Sequence, residues 1–273
     1  MALTTPERSK APVAAPSARN TTRADIKART YRTDRWWLAP LVQFLGLMAF
    51  IVYGTVAAFR NAHYFTFSYL SPFYSPCVTN KCIDHYTPEF LGGWWHFSPA
   101  LLVLIFPLGF RFTCYYYRKA YYRAFWMSPP ACAVAEPHGK YTGERRLPLI
   151  LNNVHRYAFY LGLVLNVILT YDAILAFRDH EGNWGHVGAG TVILTVNAVC
   201  LWLYSLSCHS CRNSVGGRIT HFSKHPVRYQ MWTVISKLNT HHMRWAWVSL
   251  CTVVLADFWV YLLASGTVTG SWV

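Results

Sequence analysis

Five apolar runs limit how this chain can fold more than any other feature. They lie at about Trp37–Phe59, Phe97–Tyr117, Ile150–Phe177, Val187–Ser207 and Trp245–Gly266. A helix rises about 1.5 Å per residue, so roughly 20 residues cross a hydrocarbon core about 30 Å thick. Five buried helices of a water-soluble domain would each carry a polar stripe. These runs have almost none beyond Asp172 and Asp257. With 53% hydrophobic and 13% charged residues over 273 positions, the expected fold is all-α, an integral membrane bundle of five transmembrane helices over residues 36–273. The preceding arm, residues 1–35, is rich in Ala, Pro, Thr and Arg and lacks the apolar core of a secretory signal. It is expected to be basic and partly disordered.

The net charge of +14 is unevenly placed. About eight Lys and Arg precede Trp37, about seven lie in 111–149 and about six in 208–244, while the other connections carry few. The positive-inside rule puts the N-terminus and both basic loops in the cytoplasm and the C-terminus outside. Aromatic clusters such as Trp36-Trp37, Trp94-Trp95 and Tyr115-Tyr116-Tyr117 fit interfacial anchoring. A basic arm beside a membrane helix fits a juxtamembrane tail better than a nucleic-acid contact.

Topology sorts the cysteines by compartment. Cys77 and Cys82 fall in the outer loop, where a disulfide between them is expected and a free thiol pair is the alternative. Cys114, Cys208 and Cys211 fall near the cytoplasmic boundary and Cys132 in the cytoplasmic loop, reduced and available for metal. Cys200 and Cys251 lie inside apolar runs and read as packed thiols.

The densest chemistry is Ser205-Leu206-Ser207-Cys208-His209-Ser210-Cys211-Arg212, at the end of the fourth run. His155 opens the third run and His241-His242 precedes the fifth. These residues lie near one cytoplasmic plane, although they come from three separate helix ends. Asp172 and Asp257 are the intramembrane acids, which belong either to a proton path or to structural pairs with hydroxyls.

Three occupants fit such residues. A haem b needs facing imidazoles, and the middle thirds of the runs contain none. A cytoplasmic-side haem would use His155 with His209 or His242, an outer-side one His96 and His186, and neither accounts for the cysteines. Zinc takes a tetrahedral set of two cysteines and two histidines, although a single C-x-x-C is a weak signal, and it would staple the loop of a transporter or structural membrane protein. No internal repeat supports transport. A [2Fe–2S] cluster with two cysteines on one iron and two histidines on the other is the Rieske-type ligand count.

Leu151-Asn152-Asn153-Val154-His155-Arg156-Tyr157 opening the third helix, five helices, an inside N-terminus and basic cytoplasmic loops together resemble one family. It is the single-chain, five-helix, cytochrome b-like membrane anchor of succinate dehydrogenase and fumarate reductase, and the resemblance covers about 35–270. Members usually bind two b haems through four histidines at two depths, a set this chain lacks. It is similar instead to the actinobacterial SdhC variant, in which a Rieske-type cluster takes the place of haem. The resemblance implies an all-helical anchor in the cytoplasmic membrane of a bacterium, docked to flavoprotein and iron–sulfur subunits. Electrons would pass from them through this chain's cluster to menaquinone in the bilayer. It further implies Cys208 and Cys211 on one iron and His155 and His242 on the other, with His241 and His209 as substitutes. Arg156, Tyr117 and His209 are the candidates for the quinone head group.

Overall fold

The computed structural model describes residues 32–66, 68–76, 98–134, 144–147, 149–179 and 181–269. The arm through residue 31, Cys77, Cys82 and His96 lie outside the described residues, so the expected disulfide and outer-side haem are not addressed by it.

Nine α-helices are described: α1 Leu38–Arg60, α2 Pro99–Val103, α3 Ile105–Thr113, α4 Tyr115–Phe125, α5 His155–Leu175, α6 Ala189–Leu206, α7 His209–Gly216, α8 Pro226–Asn239 and α9 His242–Ala264. Four stretches are long and apolar enough to cross a membrane: α1, Leu149–Leu175 (α5 with its 3-10 lead-in), α6 and α9. The expected fifth run is not one straight helix. It breaks at Leu104, and again at Cys114, where α3 and α4 meet at 78°. Continuous apolar sequence did not reveal this bend, because Cys114 is as apolar as its neighbours while its backbone is extended (φ −63°, ψ 130°).

Helix α6 is central and packs on both α5 and α9. Helix α1 runs parallel to α9, since Gly46 near its start lies against Trp247 and Arg60 at its end reaches Asp257 at 3.6 Å. Helices α1, α5 and α9 therefore begin at one face of the bundle, the face where α6 ends. Val42, Leu45, Val56, Val164, Val167 and Leu255 are exposed along these helices, as is Ile105 on α3. Contiguous apolar exposure of this kind would be untenable in water and is what a lipid-facing surface requires.

At the opposite face a short hairpin, β1 Phe65–Thr66 with β2 Tyr69–Leu70, tucks between the helix ends. Ser71 and Tyr53 both donate to Asp257, which is completely buried, and Ser75 donates to Asp172. The Tyr74 hydroxyl donates to the Ala57 carbonyl at 2.6 Å and accepts from the Asn61 amide at 3.0 Å. Asp257 lies 15 positions beyond His242, about 22 Å along the axis. Both acids are therefore far from the histidine face and engaged by hairpin hydroxyls.

Candidate metal centre

Each of four metal-capable side chains stands at the start of a helix. Cys114 caps α4, Cys208 caps α7 in extended conformation (φ −66°, ψ 141°), His155 is the first residue of α5 and His242 the first of α9. Helix starts carry unpaired N–H groups and the positive end of the helix dipole. Four of them around one set of side chains favour negative charge there, as anionic ligands require. The Cys208 sulfur already accepts from the Ser210 amide at 3.4 Å.

The hydrogen bonds decide how both imidazoles are held. Thr113 Oγ1 spends its proton on the Gly109 carbonyl at 2.7 Å, so at 2.8 Å it accepts from His155 Nδ1. Ser207 Oγ donates to the Tyr204 carbonyl at 2.9 Å and accepts from His242 Nδ1 at 2.7 Å. A hydroxyl has one proton, so both rings carry theirs on Nδ1 and present the Nε2 lone pair. Those lone pairs face sulfur: His155 Nε2 lies 3.1 Å from Cys208 Sγ, and His242 Nε2 lies 3.3 Å from Cys114 Sγ. Outer hydroxyls that fix the tautomer and orientation of a histidine are the supports metal-binding imidazoles use.

Aromatic rings close the site. Phe110 stacks on His155 at 5.3 Å and 14°, and Tyr204 stacks on His242 at 5.2 Å and 11°. His209 stacks on the other side of His155, at 5.2 Å. Gly162 permits the Phe110 placement, because a Cβ there would stand 3.0 Å from the Phe110 ring. Burial pushes the Cys208 thiol up to about 12. Burial also raises Cys211 and lowers His209.

Arg111 is 9% exposed and donates to the Tyr117 hydroxyl (2.7 Å), the Ala246 carbonyl (3.3 Å) and Ser249 Oγ (3.0 Å). No carboxylate among the described residues pairs with it. A buried guanidinium without a counter-charge is costly in a membrane, and the thiols of this site, once ionised, are the anions within its reach. Tyr204, 1% exposed, lies under this guanidinium, with 4.7 Å from Arg111 Cζ to the ring centroid. The buried positive charge fits an anionic group bound beside the cysteines.

Among the described residues, one group of three metal-capable side chains has ligand atoms all within 4.8 Å of one another, namely His155, Cys208 and His209. Cys114 and His242 lie outside that span. A tetrahedral zinc, with bonds of about 2.0–2.3 Å, draws its four donors within about 4 Å of one another. The four donors of the two His–Cys pairs do not all lie within 4.8 Å of one another. The stacked rings of His155 and His209 face each other and do not present opposed nitrogens to a haem iron.

Cys211, expected beside Cys208, is buried in the same apolar cluster as Cys208 and Cys114. The sulfur that meets His242 is that of Cys114. The extended backbone at Cys208 releases that side chain toward α5, whereas Cys211 sits inside the regular turns of α7. His241 is exposed and pairs with Thr240. Arg156 is exposed on Asn213. Tyr117 is buried and donates to the Ala246 carbonyl at 2.7 Å. Cys114 was visible in sequence only as a thiol near the same boundary, and Thr113, Ser207, Tyr204 and Arg111 carried no signal. Such roles arise between helices and leave no spacing pattern.

The family model for the actinobacterial succinate dehydrogenase subunit SdhC matches residues 38–266. The chain belongs to that family. A chain of the Mycobacterium smegmatis Sdh1 complex in the apo form is 54% identical, with a TM-score of 0.81, over 91% of this chain and 96% of that one. No curated protein sequence matches significantly. This SdhC-family chain is thus the membrane anchor of a succinate dehydrogenase, a multi-pass protein of the cytoplasmic membrane that works with the other subunits of that enzyme.

Proposed function

We propose that this anchor passes electrons from the soluble flavoprotein and iron–sulfur subunits to menaquinone by way of a Rieske-type [2Fe–2S] cluster held by Cys114, Cys208, His155 and His242. The observation that supports the reading is the gathering of two cysteines and two histidines at four helix starts, with both Nδ1 protons held by Thr113 and Ser207 and both Nε2 lone pairs free to bind metal. Such a cluster supplies one-electron transfer at a potential raised by its histidine ligands.

The chain's own residues supply the rest. Cys114 and Cys208 release their thiol protons on ligation. The four helix starts and Arg111 offset the negative charge that results. Phe110, Tyr204 and Phe159 exclude water from the imidazoles. A cavity of about 620 Å³ lined by Lys119, Arg123, His209 and His242 opens beside the site and suits the docking of the iron–sulfur subunit. That assignment puts the histidine face and the N-terminus in the cytoplasm. An apolar slot of about 540 Å³ between α1, α3 and α4, with Arg111 and Tyr117 in its wall, suits a quinone tail.

The test is the complex purified with its soluble subunits, assayed for iron, acid-labile sulfide and zinc, for optical spectra and for electron paramagnetic resonance (EPR) after reduction. The expected result is a histidine-ligated two-iron signal that Cys114→Ser and Cys208→Ser abolish and Cys211→Ser and Cys200→Ser leave intact. A haem α-band without a cluster signal overturns the reading, as does zinc without iron. A signal lost in Cys211→Ser and kept in Cys114→Ser returns the fourth ligand to Cys211.

A further inference from the structure

We infer that helices α7 and α8 form a hairpin lying flat in the membrane interface on the histidine face, with an apolar stripe of α8 in the bilayer and basic residues around it holding anionic phospholipid headgroups. The inference concerns the lipid-side surface of the chain and stands whichever group fills the metal centre.

Two sets of contacts fix the hairpin. Asn239 Nδ2 donates to the Ser207 carbonyl at 2.6 Å, Arg212 Nε donates to Ser236 Oγ at 3.0 Å, and Arg228 donates to the Val215 carbonyl at 2.6 Å. Helices α7 and α8 therefore run antiparallel, and Trp232 closes the pair over Gly216. The second set gives the depth. His209, the first residue of α7, stacks on His155 at the start of α5, and Ser214 meets the Tyr160 hydroxyl at 3.2 Å. A helix climbing straight out of the membrane would raise Ser214 about 7.5 Å above His209. Tyr160 instead lies deeper along α5 than His155, so α7 gains no height. Its partner α8 returns to the level of Ser207 and hands the chain directly to α9.

One face of α8 is packed, with Ile235 buried and Trp232 half-buried. On a different face Val227, Met231 and Val234 are each more than half exposed. Their i, i+4, i+7 spacing makes one continuous stripe. Phe222, exposed just before α8 and packed on Tyr229 at 4.8 Å, adds to the apolar surface. Arg218, Lys224 and Lys237 are exposed nearby in sequence, and residues 208–244 include no Asp or Glu. An apolar stripe, basic flanks and no acid are what a helix resting in an anionic interface requires. The flat pose holds the hairpin at headgroup depth, which favours lipid over a soluble partner as the occupant.

The test uses the whole complex in vesicles of phosphatidylcholine, with and without phosphatidylglycerol. Met231 is replaced by photoreactive p-benzoylphenylalanine, and Val164, exposed on α5, is replaced likewise as the lipid-facing control. The expected result is lipid adducts at both positions, enriched at 231 in phosphatidylglycerol beyond its share of the vesicle. A cross-link from position 231 to a soluble subunit overturns the inference and makes the stripe a docking surface. Adducts at 164 with none at 231 overturn it too, as does a lipid ratio at 231 equal to that of the vesicle. The complex is also expected to melt at a higher temperature when phosphatidylglycerol is present, and to lose most of that rise when Arg218→Gln, Lys224→Gln and Lys237→Gln are combined. A rise that survives intact in the triple variant overturns the headgroup contacts. If the triple variant fails to assemble, the adduct ratio at 231 alone decides.

Discussion

His155 turns its Nε2 to the sulfur of Cys208 at 3.1 Å, across 53 residues of sequence, and holds that pose because Thr113 takes the proton of its other nitrogen. His242 repeats the pattern with Cys114 and Ser207. Two hydroxyls, each already committed to a backbone carbonyl, thus decide which nitrogen of each ring can bind metal.

Removing those hydroxyls should loosen the metal without unfolding the bundle. Thr113→Val and Ser207→Ala each free an imidazole to rotate or change tautomer, and losses of such supports typically cost 10–100-fold in metal affinity. Iron remaining after a timed chelator challenge measures this, with circular dichroism showing unchanged helix content. Retention equal to wild type in both variants would remove the supporting role assigned to these hydroxyls.

Metal uptake should weaken in acid. The Cys208 thiol is pushed by burial from 9.0 to about 12, so its proton is present throughout the neutral range and must leave on ligation. Each displaced thiol proton weakens apparent affinity about tenfold per unit of acidification below that value. His209, lowered by burial, stays neutral above its ordinary value and does not oppose this trend. For the metal-free fold the sign is opposite to that of a carboxylate. The stability gained by keeping Cys208 neutral is complete below about pH 9 and is lost as pH rises toward 12. Cobalt-binding isotherms on the chelator-stripped complex at several pH values check the slope, and a flat profile contradicts it.

Helices α7 and α8 meet because residue 216 has no side chain. A Cβ on Gly216 would stand 2.1 Å from Trp232 Cδ1, so Gly216→Ala must push Trp232 outward and part the two helices. Overpacking of this kind typically costs about 1–3 kcal/mol. The expected outcome is a lower melting temperature of the detergent-solubilised complex and easier loss of the soluble subunits on size-exclusion chromatography.

Asp257 anchors the hairpin and the end of α1 through Ser71, Tyr53 and Arg60. Asp257→Ala leaves Arg60 without its partner in a buried setting, a change that usually costs about 3–5 kcal/mol, and thermal unfolding in detergent should show it. Asp257→Asn keeps an acceptor oxygen for one of the hydroxyls and should hold quinone reduction near wild type at every pH. A folded Asp257→Asn complex that loses turnover would assign proton transfer to this acid.

Much of the architecture could be read from local chemistry. Four of the five expected spans appear as single helices close to their expected ends, because twenty consecutive apolar residues have few other fates. His155 and His242 fall at helix starts on one face, as charge topology and run boundaries implied. The bend at Cys114 was not legible, and with it went the contact between Cys114 and His242. C-x-x-C spacing made Cys211 the natural companion of Cys208. Yet the residue that meets His242 comes from α3–α4, 128 positions away.

The sequence by itself determined that this chain is a membrane bundle with basic connections and a cluster of metal-capable side chains at one set of helix ends, since those properties follow from runs of residues and their order. Only the tertiary structure decided which sulfur meets which imidazole, which nitrogen is free, and why Tyr204 and Arg111 are buried beside them. The physical reason is that ligand geometry is set by the packing of helices distant in the chain and by single backbone torsions at Cys114 and Cys208, and neither leaves a periodic trace in the sequence.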